Sequence, residues 1–383
     1  MRIAIAQINP VLGDFKTNAL KILDYANRAK ERGVDIVVCP ETSLFGYHPM
    51  DLLERATVVE AELKELKSLI KKLPRDLYIV FGVFTKNKNK AGKPYHNSAL
   101  VVKNKKIVFQ SHKELLPTYG VFDDARHIEP GHLQKGIFKF GGKKILITIC
   151  EDIWAWPTPK TPYAKNPLKK INKAKVDFII NLSASPFYSG KLKLRERVVG
   201  LTAKHFQAPM VYVNMVGAQD ELIYDGQSFA VDKNGRPFAR AAAFKEDFNV
   251  IDFNNKTSDH NILPLPYGES LRQALVLGIR DFIQKTGQEK VHLGLSGGID
   301  SALVASLAVD ALGSNKVTAI YLPGPYSANE SFELAKKCAK NLNISFFELP
   351  ITDAYKTLIE ALEKTFNLNE FGLTHENLQA RLR

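Results

Sequence analysis

Cysteine is scarce in this chain of 383 residues, which carries only Cys39, Cys150 and Cys338. Three scattered cysteines cannot form a disulfide framework, so the small secreted scaffolds are excluded and a reducing, cytoplasmic setting is expected. Long apolar runs are missing as well. The longest, Leu77 to Phe84, has the length of a strand and falls far short of the ~18 residues of a membrane span. The start, Met1-Arg2-Ile3-Ala4-Ile5-Ala6-Gln7-Ile8-Asn9, meets polar residues too early for a secretory segment and reads as a first strand. Internal repeats and low-complexity tracts are also lacking. What remains is 45% hydrophobic and 24% charged residues, the balance of an ordinary globular protein. The length corresponds to two or three domains of ~150 residues.

Acidic residues are absent from one long stretch. Lysine and arginine outnumber aspartate and glutamate by 53 to 40, a net charge of +13, and from Thr85 to Lys113 there are eight lysines and no acid. Most of those lysines fall in the turn-like segments Lys86-Asn87-Lys88-Asn89-Lys90 and Asn104-Lys105-Lys106. They read as a solvated loop face rather than a nucleic-acid track, because no aromatic residues are interleaved with them. The expected partners are therefore neither nucleic acid nor membrane.

The first forty residues read as strand, helix, strand. Ile3, Ile5 and Ile8 open the chain, Leu20, Leu23, Ala26 and Ala29 recur near helical spacing, and Gly33 ends the helix before Val34–Val38. Further strands are predicted at Tyr78–Phe84, Ser98–Lys103, Ile107–Ser111, Ile145–Ile149, Phe178–Leu182, Val211–Met215 and Ser228–Asp232. Helices are predicted near Val58–Lys72 and Lys191–Phe206. These elements make an α/β domain over residues 1–253. Residues 254–267 are polar and proline-bearing and are predicted to be a linker. From 268 onward helix, strand, glycine-rich turn, helix and strand alternate, the pattern of a doubly wound parallel sheet.

Three chemically competent residues each follow a strand, where open α/β sheets place their chemistry. Glu41 follows Val37-Val38-Cys39-Pro40, Lys113 follows Val108–His112, and Cys150 follows Ile145–Ile149. A cysteine on a sharp strand-to-helix turn exposes its sulfur, a cation can stabilise an oxyanion, and a carboxylate can move a proton. Taken singly, each has a bland alternative: a solvated charge, or an inert small apolar residue. Their surroundings, Pro40-Glu41-Thr42, His112-Lys113-Glu114-Leu115-Leu116-Pro117 and Ile149-Cys150-Glu151-Asp152-Ile153-Trp154, resemble the nitrilase/amidase superfamily. That resemblance covers roughly residues 1–255 and implies an αββα sandwich with a Glu-Lys-Cys triad. Cys150 would be the nucleophile, Glu41 the general base, and Lys113 with the backbone N–H of Glu151 the oxyanion donors. Cys39, within an apolar strand, is read as packing. Tyr119, Ser185 and Lys191 match a narrower branch, the glutamine-dependent NAD synthetases, in which residues at these positions bind glutamine. Without that resemblance they read as turn residues and the start of a solvated helix.

The second constellation is Val291-His292-Leu293-Gly294-Leu295-Ser296-Gly297-Gly298-Ile299-Asp300-Ser301, a strand, a glycine-rich turn and a helix start. Its glycines let backbone amides approach an anion, and the helix N-terminus adds a favourable dipole. It lacks the Gly-Lys-Ser/Thr ending of a Walker A loop. Ser-Gly-Gly-Ile-Asp-Ser after an apolar strand instead resembles the pyrophosphate loop of the ATP pyrophosphatases, which implies an ATP site over Gly294, Leu295, Ser296, Gly297, Gly298, Ile299, Asp300 and Ser301. By the same resemblance Asp300 helps hold Mg²⁺, and Leu322 onward lies near the adenine. Pro323-Gly324-Pro325-Tyr326-Ser327 departs from the family's run at Gly324 and Pro325. Glu376–Arg383 resembles a run in which Asn377 would contact the deamidated dinucleotide.

Together the resemblances imply an α/β chain in which a nitrilase-like sandwich precedes part of a doubly wound ATP pyrophosphatase domain. The implied activity is that of a ligase. Glutamine hydrolysis would supply ammonia, and ATP would activate the carboxyl of deamido-NAD (nicotinic acid adenine dinucleotide) for amidation to NAD. ATP and Mg²⁺ would enter as substrate complex, with no prosthetic group, and the chain would associate as a homo-oligomer. The family's synthetase domain continues past a segment like Ala380-Arg381-Leu382-Arg383, so residues 268–383 are expected to be incomplete and NAD synthesis impaired. Two other readings stay open: a stand-alone amidase with a remnant ATP-binding segment, and an RNA-modifying ATP pyrophosphatase.

Overall fold

The computed structural model describes all residues except 90, 157–162 and 367–370, so Lys90, in the turn expected at 86–90, lies outside the described residues. The chain divides into two compact units, Met1–Ala274 and Leu275–Arg383. The boundary falls within the helix Tyr267–Lys285.

The first unit is built on two sheets. The seven-stranded sheet runs in the order Thr257–Ser258, Asp247–Asp252, Arg2–Gln7, Ile36–Val38, Tyr78–Lys86, Tyr95–Lys103, Lys106–His112. The six-stranded sheet runs Pro237–Arg240, Phe229–Val231, Met210–Asn214, Phe178–Ser183, Lys143–Ile149, Ile137–Phe140. Strand periodicity explains the layering, because successive side chains point to opposite faces. Ile3 and Ile5 join Val38, Val80, Ile145, Ile147, Phe178, Ile180 and Val211 in the core between the sheets. Ala4, Ala6 and Ile8 turn the other way, against Ile22, Ala26 and Leu69 of the helices Phe15–Glu31 and Ala56–Lys72. Leu146, Ile179 and Met210 pack on Val198, Val199 and Ala203 of the helix Lys191–Phe206. This is the αββα sandwich.

The predicted strands and helices occur with ends shifted by a few residues, as expected where termini fray. Several strands have no sequence signal: Ile137–Phe140, the hairpin Val216–Gln219/Leu222–Asp225, and Asp247–Asp252. The last, with only Phe248, Val250 and Ile251 apolar, pairs antiparallel with Arg2–Gln7 across nearly the whole unit. Part of the polar stretch after it also folds onto this unit, with Thr257–Ser258 on the sheet and Asp259 accepting from Arg32 Nη2 at 2.8 Å.

One polar residue on an inner helix face stands out. Glu62 is fully buried; its Oε1 accepts from Phe84 N at 3.1 Å and its Oε2 has no partner among the described residues. Burial pushes this carboxyl well above the usual range, which favours the protonated form in the fold. A raised folded pKa means stability is lost as pH climbs above the unfolded value of ~4.3, by about 1.4 kcal/mol per pH unit until the folded pKa is passed. Glu62→Gln is therefore expected to gain stability over the parent chain as pH rises from 5 to 8. Urea unfolding at the two pH values checks this; an unchanged difference would show that the carboxyl stays ionised.

The second unit holds a parallel sheet, Val291–Gly294, Val317–Tyr321, Ser345–Glu348, in chain order. The crossover helices Ile299–Leu312 and Asn329–Asn341 pack on it through Ala305, Ala308, Ala335 and Ala339, against Val317, Ala319 and Tyr321. Small alanines let helix and sheet backbones approach closely. Among the described residues no helix is long and apolar enough to cross a membrane.

Candidate active site

Glu41, Lys113 and Cys150 all sit at strand ends along one edge of the sandwich. Glu41 follows Ile36–Val38 at a tight crossing, where a Cβ on Gly82 would lie 2.0 Å from Thr42 N and 2.6 Å from the Glu41 carbonyl carbon. Only glycine fits there. The residue is 1% exposed and both carboxylate oxygens accept hydrogen bonds. Its Oε1 accepts from Lys113 Nζ at 2.9 Å and Asn97 Nδ2 at 2.8 Å, and its Oε2 accepts from Ala184 N at 2.9 Å.

Lys113 is equally buried, and its ammonium also donates to Asp124 Oδ2 at 2.7 Å. Burial alone would lower its pKa, but the Asp124 and Glu41 carboxylates outweigh that and hold it well above the ordinary lysine value. The side chain is thus a fixed cation. Asp124 is steadied in turn by Tyr47, whose hydroxyl donates to Oδ1 at 2.8 Å.

Cys150 opens a short 3₁₀ turn, Cys150–Ile153, with a left-handed φ of 40°. Asp152 braces that turn. Its carboxylate accepts from Ile149 N, Glu114 N and Leu115 N at 2.8, 2.9 and 3.0 Å, tying the cysteine strand to the segment after Lys113. Burial pushes the Cys150 thiol well above its ordinary pKa; the Glu41 carboxylate adds to this and Lys113 opposes it. Burial thus favours the neutral thiol over the thiolate. Cys39 is fully buried in the strand-end core, with its thiol pushed to about 12 by burial.

In the residue after Cys150, Glu151 Oε1 accepts from the hydroxyls of Tyr119 and Tyr163, at 2.7 and 3.0 Å. Lys191 Nζ lies 4.0 Å from the centre of the Trp154 ring, and burial followed by the Arg195 charge lowers its pKa to about 8. Ser185 is buried; its Oγ accepts from Arg195 Nε at 3.1 Å. Asn97, Asp124, Asp152, Tyr163 and Arg195 belong to this environment, and no sequence signal singles them out.

The glycine-rich loop of the second unit closes on itself. Ser301 Oγ donates to Gly298 O at 3.0 Å and lies 3.0 Å from Ser296 Oγ. Gly297 has φ +85°, and a Cβ there would meet Ser331 O at 2.4 Å. Gly294, Leu295 and Ser296 line a cavity of about 370 Å³ with Leu322, Tyr326, Ser331 and Arg383. Gly297, Gly298, Ile299, Asp300 and Ser301 follow at the helix start. Asp300 is exposed in its first turn. Asn377 is exposed on Leu373–Leu382, a helix that sends Arg383 to the cavity wall, where it donates to Ser327 Oγ at 2.6 Å. Elsewhere, Asp51, Glu54 and His127 bring three ligand-type atoms within 4.8 Å of one another. Arg126 donates to both of those carboxylates, at 3.0 and 2.6 Å, so this is an ion-pair cluster.

Two family models match. Carbon-nitrogen hydrolase covers residues 2–258 and NAD synthase covers residues 271–383. A glutamine-dependent NAD(+) synthetase of Synechocystis sp. is 41% identical over 392 residues, covering 100% of this chain and 70% of that protein. The chain belongs to the glutamine-dependent NAD(+) synthetase family. The family member of Thermotoga maritima is 36% identical, with coverage of 100% and 71%. Among solved structures, the family member from Acinetobacter baumannii in complex with ADP superposes with a TM-score of 0.90 at 34% identity, over 100% of this chain and 70% of that one. An amidase from Nesterenkonia sp. shares the sandwich fold alone, with a TM-score of 0.55 at 20% identity over 66% of this chain and 90% of that one.

Proposed function

We propose that the first unit hydrolyses the side-chain amide of glutamine and that the second uses ATP to activate the carboxyl group that the released ammonia attacks. The observation that carries the first half is the buried Glu41–Lys113–Asp124 network at the strand ends where Cys150 opens its turn. Sγ attacks the amide carbon while Glu41 takes the thiol proton. An ammonium has three donors, and Glu41 and Asp124 occupy two of Lys113's. The third, with the N–H of Glu151, is left for the tetrahedral oxyanion. Glu41 then returns the proton to the leaving nitrogen, ammonia departs, and a thioester remains. Water, deprotonated by Glu41, cleaves it to glutamate. Tyr119, Ser185 and Lys191 would hold the amino acid's charged end, since a phenol, a hydroxyl and an ammonium suit a zwitterion.

For the second half, Ser296, Ser301 and the loop amides suit the phosphates of ATP, and exposed Asp300 suits its Mg²⁺. The carboxyl of deamido-NAD attacks ATP and pyrophosphate leaves; ammonia displaces AMP from the acyl adenylate, giving NAD. Asn377 would contact the dinucleotide. The direct test supplies glutamine, Mg-ATP and deamido-NAD and measures glutamate, pyrophosphate and NAD separately. Glutamate release supports the first half; its absence under all conditions would overturn it. Pyrophosphate release that requires deamido-NAD supports the second half.

The loop makes one further prediction. Gly297→Ala places a Cβ against Ser331 O at a left-handed φ, costing roughly 1–3 kcal/mol and displacing the amides. The rise in melting temperature on adding Mg-ATP is expected to disappear, while glutamate release without ATP is retained.

A further inference from the structure

Arg195 is the largest fully buried side chain of the described residues, and the mechanism above gives it no task. It stands one turn after Lys191 on the helix Lys191–Phe206. A buried guanidinium is costly unless nearly all its donors are paired, and here most of them are spent on one short segment and one on Asp225. Nη2 donates to Ser185 O at 2.6 Å and Pro186 O at 3.0 Å, and Nε donates to Ser185 Oγ at 3.1 Å. Nη1 donates to Asp225 Oδ1 at 2.6 Å, and Gln227 Nε2 secures the other oxygen of Asp225 at 2.7 Å.

Asp225 closes the hairpin Val216–Gln219/Leu222–Asp225, and the same hairpin accepts from the segment's Phe187 N through Ile223 O at 2.7 Å. From the other side, Asn214 Oδ1 accepts from Ser185 N at 2.9 Å. The segment so clamped is the one whose preceding residue, Ala184, donates its N–H to Glu41 Oε2.

We propose that Arg195, anchored by Asp225, is a positioning residue for amide hydrolysis. Its planar fork sets the Ala184–Ser185 segment that presents Ser185 to the substrate and donates to the general base. The part concerning Ser185 rests on the glutamine reading above; the part concerning Glu41 rests only on the Ala184 hydrogen bond. A lysine keeps the charge opposite Asp225 but cannot reproduce three donors in one plane.

Arg195→Lys and Asp225→Asn test this in the full chain, with thermal melting to confirm that each folds. Both are expected to raise KM for glutamine about tenfold or more, the loss of a charge-assisted contact, with a smaller fall in kcat. A second measurement needs no glutamine: the rate at which iodoacetamide alkylates Cys150, followed against pH. Loss of the Ala184 donor leaves Glu41 Oε2 without its backbone N–H and no longer aimed at the sulfur, so the alkylation rate is expected to fall about tenfold across the profile. Wild-type kinetics and an unchanged alkylation profile in a folded Arg195→Lys would overturn the proposal. A parent chain that releases no glutamate would fault the glutamine reading alone, and the alkylation profiles would still decide the role of Arg195.

Discussion

Cys150→Ala is expected to lower glutamate release from glutamine by at least about 10⁴-fold, to the background of uncatalysed hydrolysis. The size follows from chemistry. Cys39 cannot take over, since it is buried with its thiol pushed to about 12, and removing a nucleophile costs nearly all the benefit of the groups that act with it. Stability should change little. The side chain is small, and the turn is held by the three backbone donors to Asp152 rather than by the sulfur. The left-handed φ of 40° does penalise alanine, but alanine keeps the Cβ that cysteine already places there. Mass-spectrometric glutamate assay and thermal melting check the pair of outcomes. Retention of even a tenth of the parent rate would remove Cys150 from the mechanism.

Lys113→Met is expected to do two kinds of damage at once. It removes the donor proposed for the oxyanion, worth about 10²–10³-fold in rate, and it leaves Glu41 and Asp124 in a buried site without the cation they share. In the parent chain both carboxylates are bonded to the one ammonium, at 2.9 and 2.7 Å, with all three side chains nearly inaccessible. Removing one partner from such a group typically costs about 3–5 kcal/mol, and methionine fills the volume, so the loss is electrostatic. The sign with pH is a further check. The orphaned carboxylates favour uptake of protons, so the variant should be least impaired near pH 5 and most near pH 8. In the parent, the raised lysine pKa keeps the cation's contribution fully present below ~10.4. Urea unfolding of both proteins at the two pH values measures this. A variant as stable as the parent at pH 8 would show that the three groups do not form a charged network.

Much of this molecule is legible one segment at a time. Apolar alternation and helical spacing mark most strands and helices, because each is decided within a window of ten to twenty residues. The positions of Glu41, Lys113 and Cys150 at strand ends follow from the same reading, as does the glycine-rich turn after Val291–Gly294. The charged surroundings are not legible. Asp123 and Asp124 are adjacent and alike in sequence, yet Asp123 is exposed and Asp124 is buried against Lys113. Arg195 stands in the run Arg195-Glu196-Arg197, which reads as a solvated helix face, yet it is fully buried.

Local sequence was enough for most of the elements, the α/β class, the order of the two units and the three strand-end residues of the candidate triad. Packing between distant segments settled which polar groups meet: Asn97 and the Ala184 amide on Glu41, Asp124 on Lys113, Asp152 under the cysteine turn, Arg195 with Asp225 behind Ser185. It also decided that Asp247–Asp252 returns to pair with Arg2–Gln7. The reason is physical. Local propensity is a property of neighbours along the chain, whereas whether a charge is solvated or buried and paired depends on what other segments bring against it. A carboxylate carries no mark of its partner until the sheets have packed.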